Sequence, residues 1–127
     1  MTLEDIIQKR INETNSLSEL AFILKNLIAY NSIDECGRLY SIRALVGSVD
    51  GLKIEIYFNE HPPPHFHVKS SSIDVAFSIK DFRLLEGNVQ GRELRMIKWW
   101  YERSRPKLIS FWNDNRPSDC KVGPILE

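Results

Sequence analysis

The stretch from Glu60 to Val68 restricts the possible folds of this chain more than any other part of the sequence. It contains Pro62, Pro63 and Pro64 and all three histidines of the protein. Each proline fixes φ and removes a backbone donor, so the run cannot continue a helix or form a central strand. The residues that follow alternate between apolar and polar side chains, which predicts a strand. We therefore expect a stiff loop that leads into a strand and presents three imidazoles.

This strand is predicted to turn back at Ser71 and Ser72, because alternation resumes directly after them. With these serines as the loop, the register pairs Lys69 with Asp74, His67 with Ala76, and His65 with Ser78. The apolar residues then share the other face, which is the core side: Phe66, Val68, Val75 and Phe77. We expect the histidines to stand on an exposed polar face, above small residues that leave room over them.

The remaining patterns predict further strands and flanking helices. Asp50-Gly51 is a hairpin turn between alternating segments 40–46 and 52–58, and a short strand is expected around 82–85. Thr2 with Asp5 and Ser16 with Glu19 are capping patterns for two N-terminal helices, the second of which ends near Asn31. A long helical pattern starts near Gln90, and Pro106 either kinks it or opens a second helix.

These elements predict an α+β fold. We expect a mainly antiparallel sheet of four or five strands, with the C-terminal helix packed on one face and an N-terminal helical pair added. The expected organisation is a helical extension over 1–36, an α+β domain over 37–116 and an irregular tail over 117–127. The tryptophans Trp99 and Trp100 are adjacent, and one narrow helix face cannot bury both. One of them is therefore expected to be exposed or to contact a partner.

Composition narrows the classes of function. The 127 residues suit one domain, and 17 basic against 17 acidic residues leave no net charge for bulk capture of nucleic acid. No segment approaches the roughly 20 apolar residues that span a bilayer, and the acidic start does not resemble a secretory signal. We expect a cytoplasmic protein without a membrane partner, in which Cys36 and Cys120 are free thiols.

One motif resembles a known family. The core His61-x-Pro63-Pro64-His65-Phe66-His67, preceded by alternation from Ile54 and followed by Leu84-Leu85-Glu86-Gly87 and a tryptophan-bearing helix, resembles the bacterial family called domain of unknown function 4160. The resemblance covers about residues 38 to 112 and leaves the N-terminal helical pair outside. It implies a small prokaryotic protein, suspected of belonging to a toxin–antitoxin pair, with a partner protein encoded nearby. It implies no particular reaction.

The histidines support a first hypothesis of a metal site. His65 and His67 are two apart on a strand and project to one face, and His61 can join them from the loop. A carboxylate from Glu55, Glu60 or Asp74 would complete a set that suits a divalent metal such as zinc. Any one of these histidines alone is more simply explained by structure, whereas three together favour function.

A second hypothesis is metal-free acid–base chemistry, as in small bacterial ribonuclease toxins. His65, His67 and Tyr57 are the candidate proton-transfer groups, and Arg43 or Lys69 is the candidate cation for a phosphate. A third hypothesis is an interaction module, with a second copy of the chain or another protein bound through the N-terminal or C-terminal helices. Arg43, Glu55 and Lys69 are the expected binding residues around the histidines. Binding of nucleic acid stays open.

Overall fold

A computed structural model describes residues 1–42, 50–58, 61–118 and 122–126. Two helices come first, short strands follow, and a long helix comes near the end of the described chain. The elements are α1 (Leu3–Glu13), α2 (Leu17–Tyr30), β1 (Asn31–Ile33), β2 (Leu39–Ser41), β3 (Lys53–Glu55), β4 (His65–Lys69), β5 (Asp74–Ser78), β6 (Leu84–Glu86) and α3 (Gly91–Asn115). The predicted α+β class is confirmed, with helices on both sides of the strands in sequence.

The main sheet is antiparallel and contains four strands in the order β3-β4-β5-β6. The predicted register of the central hairpin is confirmed: His65 lies opposite Ser78, His67 opposite Ala76 and Lys69 opposite Asp74. Pairing of β3 with β4 places Glu55 opposite His67, and β6 pairs with the outer side of β5. The histidine-bearing strand is therefore an inner strand with a neighbour on each side.

The structure differs from the sequence prediction around residues 31–58. After α2, residues 31–33 form β1 and pair with β2 in a separate two-stranded sheet, in which Tyr40 lies opposite Ser32. The predicted turn at Asp50-Gly51 is present and precedes β3. Residues 43–46 of the strand expected to pair with β3 across this turn lie outside the described residues. Strands as short as β1 and β2 leave little periodicity to detect.

Helix α3 is continuous through Pro106, and it buries both adjacent tryptophans. Trp99 is 5% and Trp100 0% exposed, so the expectation that one of them is exposed was wrong. The reason is that α3 packs on two layers. Trp100 contacts Phe66 of the sheet, with ring centroids 5.8 Å apart, and its indole N–H donates to the Leu20 carbonyl of α2 at 3.1 Å. A helix with two packed sides buries more than one narrow face.

The N-terminal helices pack on the body of the protein. Buried residues of both helices, including Ile11 and Leu24, belong to the same hydrophobic cluster as Phe66 of β4 and Trp112 of α3. Thr2 caps α1 with the expected capping box, and Ser16 caps α2. The boundary near residue 36 remains a prediction, although the core continues across it.

Residues 116–118 and 122–126 form no helix or strand, yet the described part of the tail packs against α3. The Trp112 indole donates to the Gly123 carbonyl at 3.0 Å, and Ile125 is buried. Cys36 is an exposed free thiol, whereas Cys120 lies outside the described residues. Among the helices described here, none is both long and apolar enough to cross a membrane.

Candidate functional site

Four aromatic side chains form a continuous row over the sheet, which we call the ring row. It runs from His61 in the proline loop, through His65 and His67 of β4, to Tyr57 just after β3. Successive ring centroids are 5.4 Å apart for His61 and His65, 5.1 Å for His65 and His67, and 4.9 Å for His67 and Tyr57. Each of these distances falls within the range of aromatic contact. The structure thus brings together all three histidines and the tyrosine that the sequence singled out.

The two inner histidines are buried, which differs from the exposed face that the alternation predicted. His65 is 1% and His67 6% exposed. The alternation correctly separates them from the core residues Phe66 and Val68, which are also buried. His61 and Tyr57, the two ends of the row, lie against them and stay exposed. Sequence alternation identifies the face on which a side chain lies, but it does not show what the flanking loops place over that face.

The tautomer of His65 follows from one hydrogen bond. Its Nδ1 lies 2.9 Å from the Pro63 carbonyl oxygen. A carbonyl oxygen can only accept, so Nδ1 carries the hydrogen and donates it. In the neutral ring the other nitrogen, Nε2, is then the basic one. The proline loop therefore fixes both the orientation and the tautomer of this imidazole.

The Tyr57 end of the ring row carries a charged network. The Lys69 ammonium donates to the Tyr57 hydroxyl at 3.4 Å and lies 3.5 Å from Glu55 Oε1. Lys53 lies 3.9 Å from the same carboxylate oxygen. Among the described residues, two ammonium groups thus face the Glu55 carboxylate beside the tyrosine. The expected binding residues Glu55 and Lys69 are therefore both at this end, while Arg43 lies outside the described residues.

Hydrogen bonds within this network shift three pKa values. The bond with Tyr57, above all, holds the pKa of Glu55 below its ordinary value, and the neighbouring lysines act in the same direction. The same carboxylate raises the pKa of Tyr57. The bond with Tyr57 is also the main cause that raises the pKa of Lys69. All three shifts favour an ionised glutamate, a neutral phenol and a charged ammonium.

The His61 end has a carboxylate neighbour that the sequence did not predict as a site residue. His61 Nε2 lies 3.6 Å from Glu86 Oε1. Glu86 belongs to β6 and lies opposite Ala76, which in turn lies opposite His67. The sequence did contain a signal for this residue, namely the short strand expected near 82–85. A pairing register for that strand would have aligned Glu86 with the histidines. Asp74 lies opposite Lys69, and Glu60 is outside the described residues.

The three histidines do not converge on a common point. Within the ranges that the structure describes, no group of three or more His, Cys, Asp or Glu side chains is placed to hold a metal ion. The rings of His61 and His65 are nearly parallel, with an interplanar angle of 18°. Because the lone pairs of an imidazole lie in the ring plane, stacked rings of this kind do not direct them at one ion. Ligation by His61, His65 and His67 together stays a prediction.

Comparison with known proteins places the motif in a family. No curated protein and no solved structure gives a significant match to this chain. A family model matches residues 51–113, about half of the chain, and this stretch contains the proline loop, the whole ring row and most of α3. The resemblance inferred from the histidine-proline motif is therefore confirmed. Over residues 51–113 the chain carries a domain of the family described as "Domain of unknown function (DUF4160)".

Proposed function

We propose that the ring row is a metal-free acid–base site that acts on an anionic substrate. The observation that carries this proposal is the chain of contacts from the buried His65 ring to the buried His67 ring and on to Tyr57, whose hydroxyl lies within hydrogen-bonding distance of an ammonium group. Acid–base catalysis requires a proton acceptor and a proton donor within reach of the substrate, and developing negative charge requires a nearby cation. A phosphodiester such as RNA is the first substrate class to test.

The proposed roles follow from the state of each group. His67 and His65 are the proton-transfer groups, one as acceptor and the other as donor, because an imidazole ring nitrogen can accept or donate a proton. Tyr57 donates a hydrogen bond to the substrate, since its raised pKa keeps the phenol protonated. Lys69, whose pKa is also raised, stays charged and binds the anion. Glu55 holds Lys69 and Tyr57 in position.

The setting proposed for this activity is a prokaryotic toxin–antitoxin pair, in which one member cleaves RNA and the other neutralises it. This context comes from the family resemblance. A divalent metal such as zinc is the second candidate ligand. In its favour, the Nδ1 of His65 donates to a backbone carbonyl, as the second nitrogen of a metal-binding histidine commonly does.

The first test is cleavage of a labelled RNA by the purified protein across a pH series, in buffer containing EDTA. We expect cleavage with a bell-shaped pH dependence, as two titrating groups produce. Tyr57→Phe removes the hydroxyl and keeps the ring, so it should lower the rate by about 10²-fold or more. Tyr40→Phe is the matched control, because Tyr40 is also exposed but lies on β2. It should leave the rate unchanged.

A second variant addresses the buried histidines. His67→Gln keeps a polar side chain of similar size and removes the titrating group, and its fold can be checked by the free energy of unfolding. A folded His67→Gln protein that cleaves at the wild-type rate would contradict the proposal. Loss of wild-type cleavage in EDTA, with recovery on addition of zinc, would instead favour the metal hypothesis. Absence of cleavage by the wild type under all conditions would also refute the proposed activity.

A further inference from the structure

An apolar groove is lined by residues of α1 and α2, among them Ile7 and Leu27, which also belong to the shared core. We call it the N-terminal groove. Its volume is about 710 Å³, and its apolar lining consists of Leu3, Ile6, Ile7, Phe22, Ile23 and Leu27. Phe22 is 58% and Ile6 39% exposed. Single exposed apolar residues are common on soluble proteins, but a contiguous apolar groove of this kind marks a binding surface.

The charges on the N-terminal groove are of both signs. Arg10 contributes a positive charge, and Glu13 and Glu19 contribute negative ones. Arg10 and Glu13 lie three residues apart on α1, so a two-fold axis that sets the two α1 helices antiparallel can place Arg10 of each copy against Glu13 of the other. Arg10 of each copy can then face an acidic residue of its partner.

We propose that the N-terminal groove binds a second copy of the same chain. Phe22, which lines the groove and is exposed, enters the groove of the other copy beside Ile6, and the two helical pairs form a four-helix interface. Phe22 and the apolar groove that would receive it lie on the same surface of each copy, as an isologous dimer requires. The interface lies outside residues 51–113, so it belongs to the added helices rather than to the family domain.

The size of the groove sets the expected strength of the dimer. Thirteen residues line it, whereas stable protein interfaces use about 20 to 30 residues from each partner. We therefore expect a dimer that forms in the micromolar range of Kd and dissociates on dilution. The dimer does not depend on the ring row, so its failure and the failure of the proposed catalytic activity are separate results.

Sedimentation velocity over a wide range of protein concentration tests this proposal. The wild type should change from monomer to dimer as concentration rises. Phe22→Ser removes the exposed anchor and should raise Kd at least about tenfold, as loss of a central aromatic residue does. Leu84→Ser is the control, because Leu84 is an exposed apolar residue on β6, away from these helices. It should leave Kd unchanged.

Charge reversal tests the two-fold pairing itself. Arg10→Glu puts like charges against each other across the axis and should weaken the dimer, whereas Arg10→Glu with Glu13→Arg should restore it. Native mass spectrometry of the same samples shows whether an apolar small molecule occupies the groove instead. A wild type that stays monomeric at every concentration, a bound small molecule, or a dimer that Phe22→Ser leaves unchanged would each overturn the proposal.

Discussion

Replacing Gly87 with alanine should destabilise the protein more than an ordinary glycine substitution at positive φ. Gly87 follows β6, has φ +79°, and approaches the neighbouring strand so closely that an added Cβ would lie 2.1 Å from the Asp74 carbonyl oxygen. Gly51 provides a matched control. Its φ is +68°, and an added Cβ there would have no atom within 4 Å. Both substitutions strain the backbone, but only the one at Gly87 creates an overlap.

The magnitude follows from these two contributions. A left-handed conformation costs a residue with a side chain roughly 1–2 kcal/mol, which is the whole effect expected for Gly51→Ala. At Gly87 the overlap is with backbone, so relief requires β6 to move away from β5. That movement separates the paired residues of β5 and β6. Each hydrogen bond lost in this way costs about 1 kcal/mol. Because two such pairs join the strands, Gly87→Ala should lose about 3–4 kcal/mol in total.

The assay is equilibrium unfolding in urea, followed by the fluorescence of the buried tryptophans. The comparison of the two variants matters more than either value alone, because both share the cost of positive φ. If Gly87→Ala were no less stable than Gly51→Ala, the close approach of Gly87 to Asp74 would be refuted. That result would also remove the basis for placing Glu86 next to His61, since Glu86 is adjacent to Gly87.

Three further changes test separate parts of the structure. The pKa of Glu55 is lowered, chiefly by Tyr57. The ionised Glu55 therefore stabilises the fold above the ordinary glutamate pKa of about 4.3, and this stabilisation is lost as the pH falls. Glu55→Gln should accordingly make the free energy of unfolding depend less on pH in the acid range. Phe66→Ala should cost about 3–5 kcal/mol in urea unfolding, since Phe66 is fully buried. Tyr101→Phe should cost about 1–2 kcal/mol in the same assay, because it removes the hydroxyl that donates to the buried Ile79 carbonyl at 2.7 Å.

The central hairpin was predictable because two local signals agree. The serine turn fixes which residues face each other, and the alternation fixes which side of the strand is apolar. A shift by one residue would have moved Phe66 to the polar face and His67 into the core. Every pair from His65 with Ser78 to Lys69 with Asp74 is therefore determined by neighbouring residues. The helix caps at Thr2 and Ser16 are local in the same way.

The burial of Trp99 and of the histidines depends on contacts between residues far apart in sequence, which the periodicity of a single segment does not predict. A periodic pattern identifies the apolar side of one helix, but the number of layers that contact this helix depends on where α1 and α2 pack. Trp99 is buried within the same hydrophobic cluster as these helices, and the Arg103 guanidinium stacks on its ring, 3.7 Å from the centroid. The cover over His65 likewise comes from His61 of the proline loop, and the cover over His67 comes from Tyr57, which follows the neighbouring strand.

Burial of the inner rings determines how a substrate would reach the ring row. His65 and His67 are almost inaccessible, so a ligand must approach at one of the two exposed ends. At the Tyr57 end two lysine ammonium groups lie beside the Glu55 carboxylate, whereas the His61 end faces the Glu86 carboxylate. An anion is therefore drawn to the Tyr57 end. There the nearest imidazole is His67, and His65 lies one ring further away, with its Nδ1 bound to the Pro63 carbonyl. Substitution of His67 should thus reduce the proposed activity more than substitution of His65, which should instead affect the stability of the proline loop.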